Sequence, residues 1–405
     1  MTDTATTSSL PIGPSFPWLA PLAGFSDLPF RLLCREQGAA VACTEMVSAK
    51  GLIYGMRAKK SAEPNGTEEL LSTTAEDAPL VVQLFGDEPE YVGLAARELV
   101  GRGFAYFDLN MGCSVPKVTR AGAGAALLRD PARAAEAARA LFEAAGPGRA
   151  GCKLRLGWDA SSPVYLELAL RLEDMGAAWI TLHPRYARQG FGGSVDLGAL
   201  ERLASALRIP VIASGDLFSA EDGLRRLETG VAGVMYARGA MANPSVFGRY
   251  LALLRQRARD GASPDASTDA SPDAGPDAGQ DAGANIFATR EHDGARNGGD
   301  GDNCGHGDGG AGDALDAGAL LALIRRHADL ARRLTPGKPG RKGLAPALLK
   351  MRTVVPRYVR HLPGVKKLRL ALTRCESWEE LDVMLREFFD NGPSVSGGAT
   401  DGTRI

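Results

Sequence analysis

Residues 105–145 read AYFDLNMGCSVPKVTRAGAGAALLRDPARAAEAARALFEAA. The first five are a short apolar run of the kind found in a buried parallel strand, and 131–145 are an Ala/Leu/Arg/Glu-rich amphipathic segment with helical character. A glycine-bearing loop joins them, so the stretch is one βα unit. The same alternation runs through the first 260 residues. Candidate strands fall at 17–20, 40–44, 80–84, 105–109, 151–156, 178–182, 210–213 and 232–235. Helical stretches such as 28–37, 90–100, 131–145, 164–175 and 220–228 lie between them. Eight βα units in about 250 residues predict an α/β fold, a (β/α)8 TIM barrel.

Downstream the pattern breaks. Residues 261–314 carry 11 acidic and 2 basic residues in Asp/Ala/Gly/Pro-rich sequence, and almost nothing there can be buried, so disorder is expected. Helical periodicity returns in LLALIRRHADLARRL, LAPALLKMRTVVPRYVRHL, GVKKLRLALTRC and SWEELDVMLREFF, with prolines and glycines between them. The expected organisation is a flexible N-terminus (1–16), the barrel (17–260), an acidic insert (261–314), a small C-terminal all-helical domain (315–391) and a flexible tail (392–405).

The net charge of −1 conceals this division. The first 260 residues hold 28 charges of each sign, whereas residues 315–405 hold 17 basic and 9 acidic. Between Arg325 and Arg374 there are 15 Lys and Arg against one acid, Asp329, with Tyr358 and His361 interleaved. An excess spread over a whole domain suits a surface that follows nucleic-acid phosphates. No run approaches the roughly 18 apolar residues of a membrane span, and the start lacks a signal peptide, so a cytoplasmic protein is expected. The six scattered cysteines read as reduced thiols. No metal is expected: the Asp/Gly-rich insert lacks the apolar repeat position of calcium-binding β-rolls and the final Glu of an EF-hand loop, and Cys304 with His306 supplies only two ligands.

In such barrels the active site forms at the carboxyl ends of the strands. Polar or glycine-bearing groups there are Pro21-Leu22-Ala23-Gly24, Glu45, Gln83, Asn110 with Cys113, Lys153, His183, Ser214-Gly215-Asp216 and Arg238-Gly239. The loops ASGDLFSAED and ARGAMANPS look like a phosphate cradle, because glycine admits close approach of backbone N–H groups and Arg238 offers a bidentate contact. Two ordinary turns with a surface arginine are the plain alternative. Lys153 stands in an apolar strand and needs an anionic partner or an electron-rich ring, unless it faces the helices and snorkels to water. Arg155, two residues on, shares its face. His183 reads either as a packed core histidine or as a group that bonds a cofactor or polarises a carbonyl. Cys113 follows a strand in an open loop. An ordinary thiol titrates near ~8.5 and is mostly protonated at neutral pH, so a cysteine there can serve as a proton donor.

APLAGFSDLPFR, TEMVSA, VVQLFG, FDLNMGCSVPKVTRAGAGAALLRDP, CKLRLGWD, TLHPRYARQGFGG, PVIASGDL and GVMYARGAMANP occur in the order, and at about the spacing, of the tRNA-dihydrouridine synthases, which the chain resembles from Trp18 to Phe247. The tail segment YVRHLPGVKKLRLAL resembles that family's helical domain. The resemblance implies an oxidoreductase using flavin mononucleotide (FMN), with NADPH as electron donor. A hydride would pass from flavin N5 to C6 of a tRNA uracil, and Cys113 would protonate C5. It implies that Pro21, Leu22, Ala23, Gln83, Lys153 and His183 hold the isoalloxazine ring, and that Ser214, Gly215, Asp216, Arg238 and Gly239 hold the phosphate. Asn110 and Arg185 would contact the substrate, whose base must leave its stack to reach the mouth. The sequence departs from the family's usual pattern at Ser114, Pro184, Ser214 and Ala237, and in the acidic insert. A monomer acting on tRNA, away from membranes, is expected. The alternatives are a barrel reducing a free pyrimidine, as dihydroorotate dehydrogenases do, and a non-catalytic RNA-binding barrel.

Overall fold

The computed structural model describes residues 9–57, 66–261, 315–335 and 343–390. Nine parallel strands form the sheet: β1 (Trp18–Leu19), β2 (Val41–Cys43), β3 (Val47–Ser48), β4 (Leu80–Phe85), β5 (Tyr106–Met111), β6 (Ala150–Arg155), β7 (Ile180–His183), β8 (Val211–Ser214) and β9 (Gly233–Tyr236). Pairing of β1 with both β2 and β9, and of β2 with β4, closes the sheet into a barrel. β2 lies against the start of β4 and β3 against its end, so the two form one stave interrupted at Thr44, Glu45 and Met46. Eight staves result, as the strand count in the sequence requires.

Local chemistry sets where the surrounding helices begin. Asp130 Oδ1 accepts from Arg133 N at 3.0 Å and Pro131 occupies the first turn of the helix Pro131–Ala145. Ser219 and Asp222 form a reciprocal capping box at the head of Ala220–Leu227.

Inside the barrel, alternate residues of each strand point to the axis. Toward the amino ends these are apolar: Trp18, Val41, Val81, Tyr106, Trp179 and Ile212 belong to one buried cluster. Gly151 makes room for this layer, since a Cβ there would lie 2.4 Å from the Trp179 indole. Farther along the same strands the inward positions turn polar, with Gln83, Asp108, Asn110, Arg155, Thr181, His183 and Ser214 all buried. The apolar layer closes the bottom, and the polar layer floors the open end. Within residues 9–16, expected as part of a flexible N-terminus, three are anchored to the barrel: Leu10 joins the apolar layer, Pro11 O accepts from Trp18 Nε1, and Pro14 O accepts from Tyr250 Oη.

Four helices follow the insert: Ala317–Leu334, Pro346–Tyr358, Val365–Leu372 and Trp378–Asp390. They share a core with the barrel, where Leu323, Ile324 and Met351 cluster with Phe30, Leu33 and Tyr250. Arg326 pairs with Glu36 at 2.6 Å and Lys350 with Asp27 at 2.5 Å, which ties the domain to the barrel helix Leu28–Glu36 and its N-cap. His327 is buried at this junction, with Nδ1 2.8 Å from Tyr358 Oη. Among the described residues, no helix is long and apolar enough to cross a membrane, and no group of three or more His, Cys, Asp or Glu is arranged to hold a metal ion. Cys304, His306 and nearly all of the acidic insert lie outside the described residues.

Candidate active site

One pocket opens at the carboxyl ends of the strands. Pro21, Leu22 and Ala23 form one wall, following β1. Asn110 and Cys113 enter from the end of β5 and its loop, Lys153 and Arg155 from β6, and His183 from β7. Ser214, Gly215 and Asp216 come from the end of β8, and Arg238 from beyond β9. Of the residues singled out in the sequence, Gly24, Glu45, Gln83, Arg185 and Gly239 do not line it.

Cys113 is partly exposed, and its loop is fixed from two sides. Asn110 Oδ1 accepts from Cys113 N at 2.9 Å and from Gly112 N at 3.1 Å. Arg155 Nε donates to Gly112 O at 2.9 Å, while its Nη1 donates to Tyr186 O and Gly190 O. Arg155 therefore binds the cysteine loop to the loop after β7. Its role was legible only as a residue sharing a face with Lys153, and it proves to be a brace between two loops. Asn110 was expected to touch a substrate. Its Nδ2 already donates to Gln83 Oε1 at 2.7 Å and approaches Met46 Sδ at 2.9 Å, so its whole amide is engaged in holding the loop.

Gln83 is fully buried below the pocket, where Nε2 donates to Asp108 Oδ2 at 2.6 Å. Asp108 was not singled out in the sequence. Its position two residues before Asn110, hence on the same strand face, is the signal that was available. Burial raises its pKa to about 7, against the opposing effects of the Gln83 hydrogen bond and the Lys153 charge. Lys153 is lowered to about 8 by burial, with Asp108 pulling the other way. Among the described residues, Lys153 Nζ has no hydrogen-bond partner, and Lys153 lines the pocket.

His183 is held well below its ordinary pKa by burial and by the charges of Arg155, Lys153, Arg185 and Arg238. It is neutral at pH 7, with one nitrogen able to donate and the other to accept. Gly215 is required by this histidine: its φ is +92°, and a Cβ would lie 2.2 Å from His183 Cδ2. Gly239 is required by packing of the two loops, since a Cβ there would meet Leu217 O at 2.3 Å.

Asp216 has φ +50° and accepts from Arg185 at 2.7 and 2.5 Å and from Arg238 at 2.9 Å. Its side chain is thus an anchor for two guanidinium groups. Arg185, expected at the substrate, is 2% exposed and also donates to Gly192 O and Gly193 O. It builds the loop that carries Phe191, which the sequence reading had left without a role. Phe191 is 60% exposed at the pocket edge, with Arg238 Cζ 4.3 Å from its ring centroid and the His183 ring 6.3 Å away.

The pocket joins an open thiol, a neutral histidine, an ammonium without a hydrogen-bond partner and a rim rich in arginine. Such a set suits a flat, electron-rich ring bearing an anionic group, with a proton donor over it.

The family model described as dihydrouridine synthase (Dus) matches residues 18–268. A probable tRNA-dihydrouridine synthase 1 of Synechocystis is 39% identical over 231 residues, which are 56% of this chain and 62% of that relative's length. A probable tRNA-dihydrouridine synthase of Treponema pallidum is 34% identical over 249 residues, covering 59% of this chain and 71% of the relative. The tRNA-dihydrouridine synthase B of Xanthomonas axonopodis pv. citri is 36% identical over 231 residues, covering 57% and 67%.

Proposed function

The chain belongs to the dihydrouridine synthase family, and from that premise we propose that it reduces the C5–C6 double bond of uridines in tRNA. The observation that carries this reading is the single pocket that brings the Cys113 loop, Lys153 and His183 together. FMN, when bound and reduced by NADPH, would supply the hydride for C6 of the uracil. The donor set fits that group: Lys153 Nζ, with no hydrogen-bond partner of its own, suits the electron-rich pyrimidine end of the ring. His183 offers a neutral hydrogen-bonding edge, and the Pro21-Leu22-Ala23 wall gives an apolar surface for the ring face. Arg238 at the head of the helix Arg238–Ala242, with the backbone of Ser214, Gly215 and Asp216, would hold the phosphate. The Asp216 carboxylate would contribute indirectly, by aligning Arg238.

Cys113 protonates C5 from its open loop, while Asn110 and Arg155 hold that loop in place. Gln83 acts from beneath as part of the support. The tRNA lies across the helical domain. Between the helix Arg238–Ala242 and the helices Pro346–Tyr358 and Val365–Leu372 a groove is lined by Arg352, Arg357, Arg360 and Arg369, with Met241 and Ala242 as its barrel side. Those charges suit RNA phosphates, and the groove starts three residues beyond Arg238. The enzyme would act as a monomer in the cytoplasm.

The test is to record the visible spectrum of the purified protein and to map dihydrouridine in tRNA from cells lacking it. The expected results are flavin absorbance and loss of dihydrouridine at defined positions. A colourless protein together with unchanged dihydrouridine would contradict the proposal.

A further inference from the structure

Asp108 is a buried carboxylate on β5 that touches the pocket only through other residues. The groups that interact with it come from its paired strands, Gln83 on β4 and Cys152 and Lys153 on β6, and from farther round the barrel, Cys43 on β2 and Trp179 at the foot of β7. Its Oδ2 accepts from Gln83 at 2.6 Å, whereas its buried Oδ1 and the Trp179 indole Nε1 complete no hydrogen bond.

We propose that Asp108 is a positioning residue that acts through two neighbours, keeping the Lys153 cation in place and setting the direction of the Gln83–Asn110 relay that holds the Cys113 loop. In its ionised form, which the Gln83 hydrogen bond and the Lys153 charge favour, the carboxylate only accepts, so Gln83 must turn its NH2 group toward Asp108 and its carbonyl toward Asn110. Asn110 must then turn its NH2 toward Gln83 and its carbonyl toward Gly112 N and Cys113 N. Each observed contact has this direction. On its other side Asp108 has two donors in its surroundings, the Trp179 indole and the Lys153 ammonium, the latter two residues along the paired strand β6. A carboxylate accepts on both sides at once, whereas an amide must present its NH2 to a donor on one of them. Lys153 feels Asp108 as the largest influence opposing burial, with Arg155, Cys43 and Cys113 acting more weakly. Without the carboxylate, burial and Arg155 push Lys153 toward its neutral form.

Two near-isosteric variants of the full chain separate the two arms. Asp108→Asn should keep a melting temperature within a few degrees of wild type, yet its FMN affinity should begin to fall at least one pH unit lower, because Lys153 loses its proton sooner. Gln83→Leu should change the rate of Cys113 alkylation by iodoacetamide severalfold, because the relay is cut. An Asp108→Asn pH profile that superimposes on wild type, or wild-type alkylation in Gln83→Leu, overturns the assignment. The first readout rests on the flavin reading. Wild-type protein that binds no FMN breaks that reading, while alkylation needs no cofactor and still decides the relay.

Discussion

Arg185 at the barrel mouth is 2% exposed and donates to Asp216, Gly192 and Gly193. Arg360 and Arg369 of the helical domain are exposed along an open groove and make no hydrogen bond or ion pair among the described residues. One side chain type thus does two different jobs. At the mouth, guanidinium groups cross-link loops: Arg155 joins the cysteine loop to the loop after β7, and Arg185 joins that loop to the one after β8. In the groove of the helical domain Arg360 and Arg369 remain available as counterions. Buried histidines divide in the same way. His183 is neutral because it is buried in a pocket and sits among cations there, while His327 is neutral because it is sealed between barrel and helical domain.

The sharpest break of this comparison is at the chemistry itself. Cys113→Ala should retain bound flavin and lower turnover by about 10²–10⁴-fold, the usual contribution of a positioned proton donor. Single-turnover assays with tRNA check this, and normal product yield would move the proton source elsewhere.

Acid should act on the junction between barrel and helical domain. His327 is lowered to about 4, chiefly by burial. Its folded pKa lies below the ordinary value near ~6.5, so as pH falls the unfolded chain takes up a proton before the folded one. Stability is therefore full above ~6.5 and is lost progressively toward pH 4, by up to about 3 kcal/mol. Denaturant titrations from pH 7 to 4 should show this slope in wild type and a flatter one in His327→Gln, which keeps a polar partner for Tyr358.

Arg185→Met should cost at least ~2 kcal/mol, less than the 3–5 of a fully buried pair because Asp216 keeps Arg238 and some solvent. The same variant should weaken FMN binding, since Arg238 and Phe191 lose their alignment, as a fluorescence titration of apoprotein would measure. The smallest effect is expected in the groove. Arg360→Gln and Arg369→Gln should each weaken tRNA binding without changing protein stability, and lower the slope of log affinity against log salt by about 1. A loss that does not depend on salt would place these arginines outside the RNA path.

Much of the barrel was legible because strand and helix periods are local properties. All eight staves fell within a few residues of the apolar runs, and the split of β2 from β3 escaped because the three residues between them, Thr44 to Met46, leave no periodic mark. The pocket was legible as a list of strand ends, since barrel topology carries all of them to one rim. What pattern alone could not supply was pairing across strands. Asp216 reads as a loop acid until Arg185 and Arg238 are found on it, and Asp108 reads as one polar residue in an apolar run. Gly215 suggests an anion cradle in one dimension. In three, its missing side chain also leaves the space that the His183 ring occupies.

The most direct test of the central claim is to incubate purified wild-type and Cys113→Ala protein with FMN, NADPH and tRNA lacking dihydrouridine, and to measure by mass spectrometry the two-hydrogen gain at uridine. The account predicts the gain with wild type, and its loss with a Cys113→Ala protein that is still yellow. Equal yields from the two proteins, or no gain with flavin-loaded wild type, would contradict it.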